Sequence, residues 1–322
     1  MDFNLSDVQR SWKSKAHSLG KELAPDAAAG DVIRAAAAAG LIESQPDLLA
    51  TVVAVEALAY ETSSAGVSLA LHTGVSAGLH GDTRFSDLYR GEAVGAIALS
   101  SDDVPIEENG RLSGRAAWVT PLTPLGVAVL GVRSGDSLAA AAVLLNAPGV
   151  LQEPVDTAAL GGLVCGHVRL DGAPFVGVGP TMPFMSRVRI LLAAAGLGMG
   201  RRALHEALVA AHGHTGHGAG GEQTVQGLLA DAATELDAAM LLTWKAAAAR
   251  ELSLAEASMA KLAATEATQR AVARATQVVG ADSFRRGHII ERLAQDVRTL
   301  ELFAGRTEAL REAVALETLP RS

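Results

Sequence analysis

Histidines, clustered carboxylates and a single thiol are the side chains in this sequence that could do chemistry. The stretch HGHTGHGAGG carries His212, His214 and His217, a composition that invites a metal hypothesis. Glycines surround them and no acidic or cysteine ligand sits nearby, so the stretch reads as a polar loop rather than a metal site. Asp102, Asp103, Glu107 and Glu108 concentrate negative charge. Their spacing fits no specific cation site, and a solvated turn explains it. Cys165 is the only cysteine, with Gly161, Gly162 and Gly166 around it, as expected of a small buried filler. One thiol excludes an internal disulfide framework and a Cys-rich metal centre. Arg292 and Asp296 stand four apart, the spacing of an ion pair along one helix face. No metal is expected.

The elements that must position such groups are those of a sizeable folded chain. Its 322 residues have room for about two domains of ordinary size, or one layered unit with a continuous core. With 27 Lys plus Arg against 35 Asp plus Glu, the net charge is -8, which offers no basic field and disfavours a nucleic-acid role. The first residues lack the basic and apolar blocks of a signal peptide. The apolar run from Ile190 to Gly200 is far shorter than the ~20 residues that span a bilayer. A cytoplasmic protein with no membrane partner is expected.

Ser6 followed by Gln9 has the spacing of a capping box. Val8, Trp12, Leu19 and Leu23 then recur on one helical face until Pro25 stops the helix. A second helix is predicted from Asp31 to Gly40, and Ala-rich stretches from Leu48 to Tyr60 and from Ala65 to Leu79 add two more. Near Glu92 the texture changes to short apolar runs, AVGAIALS, GVAVLGV and LAAAAVLL, broken by Gly, Pro, Asn and Asp. These predict strands, although periodicity alone leaves a buried helix open for residues 138–145. Helical texture returns at Met185 and persists. Residues 257–311 read as two helices separated by a Gly-Ala-Asp-Ser turn.

That C-terminal run resembles the flavin-dependent acyl-CoA dehydrogenase family. The resemblance lies in MAKLAATE at residues 259–266, in Gln277 and Gly280 of a Gln-x-x-Gly turn, and in ERLAQDVR at residues 291–298. It covers nearly the whole chain, weakly in the middle. It implies an α+β, mostly α fold: an N-terminal helical domain (1–92), a middle β domain (93–180) and a C-terminal four-helix bundle (181–322). It also implies FAD. SGRAAWVT is similar to a family strand whose Trp and Thr lie against the flavin, which would be Trp118 and Thr120, although an ordinary strand with a core Trp suits the same residues. Ser100 falls where the family has a flavin-binding threonine, and Gln277 and Gly280 fall where a turn helps hold the dinucleotide across a subunit interface.

The departures from the family pattern are as informative. The family's catalytic glutamate, which removes the α-proton of the acyl thioester, is Ala304 here, in Phe303-Ala304-Gly305-Arg306. Its alternative address, on the helix that opens the C-terminal domain, is Val188 when aligned through Arg189. No catalytic base is expected, since alanine and valine accept no proton. Glu301, one helical turn before Ala304, could face the same way, although a solvated helix surface is the commoner place for such a residue. An Arg-x-x-Phe-Gly phrase that clamps the dinucleotide becomes His212, Thr215 and Gly216, and SDDVPIEENGR replaces the family's Glu-Pro-x-Ala-Gly-Ser-Asp. The sequence therefore resembles the short, base-lacking subunit of heteromeric bacterial acyl-CoA dehydrogenases. The implied partners are a homologous subunit in a heterotetramer, or a second copy, and an acyl-CoA of a bulky class such as a steroid side chain. Two alternatives share the fold: a homo-oligomeric flavoenzyme of oxygenase or desulfinase type, and a non-catalytic pseudoenzyme.

Overall fold

The computed structural model describes residues 4–43, 47–99, 104–213 and 223–319. Helix α1 (Asp7–Glu22) opens with the expected capping box. The Gln9 N–H donates to Ser6 Oγ at 3.2 Å, and the Ser6 N–H donates to Gln9 Oε1 at 2.9 Å. Such a cap contributes about 1 kcal/mol. Trp12, Ala16 and Leu19 form its buried face, whereas Val8, placed on that face by periodicity, lies in solvent. Helix α2 (Ala29–Ala38) starts before Asp31, because Ala28 already has the extended backbone of a cap. Helices α3 (Leu48–Glu61) and α4 (Ser63–Gly78) are buried on nearly every side, and their sequences accordingly carry little amphipathic signal. The short α5 (Ser86–Arg90) leads into the sheet.

Eight strands follow: β1 (Val94–Ala98), β2 (Ile106–Glu108), β3 (Arg111–Val119), β4 (Gly126–Ser134), β5 (Ser137–Leu144), β6 (Val150–Val155), β7 (Cys165–Ala173) and β8 (Val176–Gly179). They pair in the order β6-β7-β3-β2-β4-β5-β8, with β1 parallel to β4. The Ala-rich run at residues 138–145 is strand β5 over most of its length, in antiparallel register with β4 from Val127↔Leu144 to Ser134↔Ser137. Pairing to β4 satisfies its backbone and decides what periodicity left open. Leu112, Ala116, Val119, Leu130, Val168 and Leu170 belong to a core formed by the sheet itself.

The remaining helices are α6 (Met182–Gly213), α7 (Gln223–Ala247), α8 (Leu254–Val279), α9 (Ile289–Leu302) and α10 (Thr307–Thr318). Helix α6 is long and apolar enough to cross a membrane by length and composition, but most of it is buried in the protein, as the central helix of the core. It meets α3 so closely that a methyl on Gly198 would lie 2.2 Å from the Glu56 carbonyl oxygen, which only glycine permits. The result is the expected α+β, mostly helical fold.

Candidate active site

Helix α9 stops at Leu302, and the four residues that follow make the turn into α10, the last of them, Arg306, as its cap. Phe303 is extended, while Ala304 has φ +54° and Gly305 φ +113°, both in left-handed space. Alanine at positive φ costs about 1 kcal/mol or more. Two buried cations hold it there. Arg189 on α6, 6% exposed, donates from Nε to the Ala304 carbonyl at 2.9 Å and from Nη1 to Ser258 Oγ at 2.7 Å. Lys261 on α8, with no exposed surface, donates from Nζ to the Gly305 carbonyl at 2.7 Å. Burial lowers the Arg189 pKa to about 10. Burial, and then the charge of Arg189, lower Lys261 to about 7, with Glu301 pulling the other way.

Glu301 does not stand in for a base at Ala304. Because the helix ends at Leu302, one further turn is never made. The carboxylate turns to α8 and α10, accepting from Gln269 Nε2 at 3.0 Å and from Thr307 Oγ1 at 3.3 Å. Val188 is fully buried on α6, its Cγ2 2.6 Å from where a Cβ on Gly74 of α4 would stand. That position is packing, and a carboxylate there would have to displace α4.

On the sheet, β3 pairs with β7 through Ala116↔Val168 and Val119↔Gly166, so three steps on one strand face two on the other. The extra residue makes a bulge. Trp118 sits in it at φ +54°, with its residue 56% exposed. Its backbone N–H donates to His167 Nδ1 at 3.4 Å, and the two rings meet edge to face at 5.3 Å. Thr120 is buried beside it, its hydroxyl donating to the Trp118 carbonyl at 3.3 Å. Cys165 is buried, as expected, and burial raises its thiol pKa against a hydrogen bond with Thr120.

Gln277 is exposed near the end of α8, and Gly280 follows at φ +75° and ψ -146°, a conformation open to glycine. His212, near the end of α6, donates from Nδ1 to the Leu208 carbonyl at 2.7 Å. Ser100, Asp102, Asp103, His214, Thr215, Gly216 and His217 lie outside the described residues. Glu107, from the same acidic stretch, accepts from the Gly110 N–H at 3.0 Å and from Ser134 Oγ at 2.9 Å, as a turn-forming side chain does.

The expected Arg292–Asp296 ion pair is not formed. Asp296 Oδ1 instead accepts the Leu160 N–H at 2.7 Å, tying α9 to the loop before β7. Burial raises its carboxyl pKa, opposed by that bond and by one from Ser63. Both residues line a polar cavity of about 240 Å³ with Asp26, Ser63 and Ser64. Sequence reasoning also missed what Arg189 and Lys261 do. A lysine in an Ala-rich helix ordinarily signals a solvated face, and only its place in the MAKL phrase marked it.

Residues 177–319 match the family described as acyl-CoA dehydrogenase, C-terminal domain. The human mitochondrial short-chain specific acyl-CoA dehydrogenase is 30% identical over 258 residues, 70% of this chain and 63% of that protein. The chain belongs to the acyl-CoA dehydrogenase family. The 3-sulfinopropanoyl-CoA desulfinase of Paraburkholderia xenovorans is 38% identical over 95 residues, 29% of this chain and 24% of that one. The chain thus spans less than two thirds of either relative's length. A glutaryl-CoA dehydrogenase from Mycobacterium smegmatis, solved in complex with FADH2, superimposes with a TM-score of 0.86 at 14% identity, covering 98% of this chain and 95% of that one.

FAD is the cofactor of the acyl-CoA dehydrogenase family, and the residues present fit it unevenly. The exposed indole of Trp118, beside Thr120 and the His167 ring, offers an apolar wall of the kind a flavin ring can lie against. Gly280 keeps open space above its Cα. His212, expected at the position of the phosphate-binding Arg, is tied to its own helix.

Proposed function

We propose that the chain is the base-lacking subunit of a heteromeric, FAD-dependent acyl-CoA dehydrogenase acting on a bulky acyl-CoA, with a homologous subunit that supplies the proton-abstracting carboxylate. The observation that carries this reading is the loop at Ala304. Its backbone is held in a demanding conformation by Arg189 and Lys261, yet it presents only a methyl group, and the carboxylate of Glu301, one turn earlier in sequence, is engaged by Gln269 and Thr307. A maintained scaffold without its reacting group suits a subunit that completes a partner's site. When bound, FAD would accept the hydride lost from the acyl chain. Trp118 and Thr120 would bound its ring and exclude water, and the Gln277–Gly280 turn would be offered to the neighbour's dinucleotide. With a histidine in place of the clamping arginine, a homodimer forfeits charge-assisted bonds worth roughly 1.5–3 kcal/mol each. The chain purified alone should therefore hold FAD below one per chain, and co-expression with a homologue bearing the glutamate should raise bound flavin toward one per heterodimer. A fully occupied yellow homo-oligomer would contradict the proposal.

The similarity to a desulfinase favours a second reading, a single-chain flavoenzyme on the same fold whose chemistry needs no α-proton abstraction. Full flavin occupancy in the isolated protein would promote it.

A further inference from the structure

The loop at residues 156–164, between β6 and β7, sends Leu160 and Leu163 into the helical core rather than into that of the sheet. Leu160 has φ +53°, left-handed space that a leucine enters only at a cost. Three helices fasten the loop. The Leu160 N–H donates to Asp296 Oδ1 of α9 at 2.7 Å, and the Gly162 N–H donates to Ser64 Oγ of α4 at 3.3 Å. The Ala29 N–H of α2 donates to the Gly162 carbonyl at 3.2 Å. Of these anchors only Asp296 is a carboxylate, and a bond to an ionised acceptor is roughly twice as strong as a neutral one. The polar cavity beside Asp296 is lined by Leu160 and Gly161 too, so the loop has space to relax into once that bond is gone.

The far end of the same loop braces the Trp118 segment. The Val164 carbonyl accepts the Leu122 N–H at 2.7 Å, Cys165 bonds with the Thr120 hydroxyl, Gly166 stands opposite Val119, and the His167 ring meets that of Trp118. Residues 164–167 thus engage residues 118, 119, 120 and 122 in turn. The sheet alone holds them weakly there. The β3 ladder skips at the bulge, and on its other side Gly166 faces Pro154 of β6, which has no N–H to give. The place of this segment is therefore left to the loop before it. Helix α9, which supplies Asp296, ends about two turns later in the turn that bears Ala304.

We propose that Asp296 is a positioning residue that fixes the Trp118 face relative to the Ala304 turn, by tying residues 160–167 to the helix that ends in that turn. It touches neither cofactor nor substrate and acts through Leu160. Its bearing on the cofactor rests on the proposed flavin reading of Trp118, whereas the bracing of Trp118 does not. Small errors of placement matter at such a face, because a shift of ~1 Å in a positioned group costs up to ~10²-fold in rate.

The test uses the full chain and two readouts. The first is the Trp118 emission, taken as the spectrum of each protein minus that of the same protein carrying Trp118→Phe, since Trp12 and Trp244 also emit. The second is the affinity for added FAD. Asp296→Ala is expected to shift the Trp118 difference spectrum and to weaken FAD binding roughly 10-fold, the factor that losing one charge-assisted bond corresponds to. Asp296→Asn, whose amide oxygen can still accept the Leu160 N–H, is expected to keep both at the wild-type values. If Asp296→Ala does not fold, Asp296→Ser is read in its place: its hydroxyl stops short of Leu160 yet stays polar toward the cavity. A loss of stability with the Trp118 spectrum unmoved overturns the proposal, as does an Asp296→Asn spectrum that moves as far as that of Asp296→Ala. Unchanged FAD affinity in Asp296→Ala, where the wild type binds FAD, overturns the bearing on the cofactor. Failure of the flavin reading itself looks different: no variant binds FAD, the wild type included, and the spectra still separate Ala from Asn.

Discussion

At β3 the backbone holds a side chain out, whereas at the turn between α9 and α10 side chains hold a backbone in. The bulge opposite His167 leaves Trp118 more than half exposed, with its ring edge to face with that of His167. The Ala304 turn presents almost nothing, yet buried cations from two helices converge on its carbonyls. The Trp118 surface is thus cheap to alter in the folded protein. The Ala304 turn is wired into the core.

Arg189→Ala breaks this contrast most severely if it is wrong. Losing two hydrogen bonds from a buried charged group, and the packing of its stem, should cost about 3–5 kcal/mol in urea unfolding. A loss within that of a surface substitution would mean the turn is not held from α6.

Next comes the pH dependence of Lys261. Its folded pKa is lowered to about 7 from the ordinary lysine value of 10.5, so between those values the unfolded chain binds more protons than the folded one. Stability from this group therefore rises as pH climbs from about 7 toward 10.5 and is lost below that window. The difference between the wild type and Lys261→Met should change by up to about 5 kcal/mol across it. A constant difference would show that the amine is not desolvated.

Trp118→Ala sharpens the other side of the comparison. Folding stability should change by less than about 1 kcal/mol, while FAD affinity, read by flavin fluorescence, falls roughly tenfold. The reverse pattern would make Trp118 a structural residue. Smallest is Gly280→Ala, where positive φ alone should cost about 1 kcal/mol in thermal unfolding, because no neighbour blocks the added methyl.

Where a feature depends on neighbours in the chain, the sequence carried it. Ser6 and Gln9 announce α1, and the alternation from short strands to long helices gives the order of layers. That neither Ala304 nor Val188 can take a proton was equally legible, since no conformation gives their side chains an acceptor. What escaped depends on partners far along the chain. The bulge at Trp118 exists only in register with β7, and Asp296 left Arg292 for a backbone N–H 136 residues away. Lys261 escaped because its burial is decided by α6, α9 and the turn beyond, none of which a helical pattern reveals. Glu301 depended on where α9 ends, and the chain leaves the helix at an extended Phe303 that carries no helix-breaking signal in the sequence.

The central claim is that a flavin-binding face survives without a proton acceptor, and anaerobic flavin bleaching tests it most directly. The chain is saturated with added FAD and mixed with an acyl-CoA, alone and together with a homologue bearing the glutamate. Lacking a positioned base should slow reduction by ~10²- to 10⁴-fold or more, so the flavin band should persist with the chain alone and bleach with the pair. Rapid bleaching by the chain alone would contradict the account.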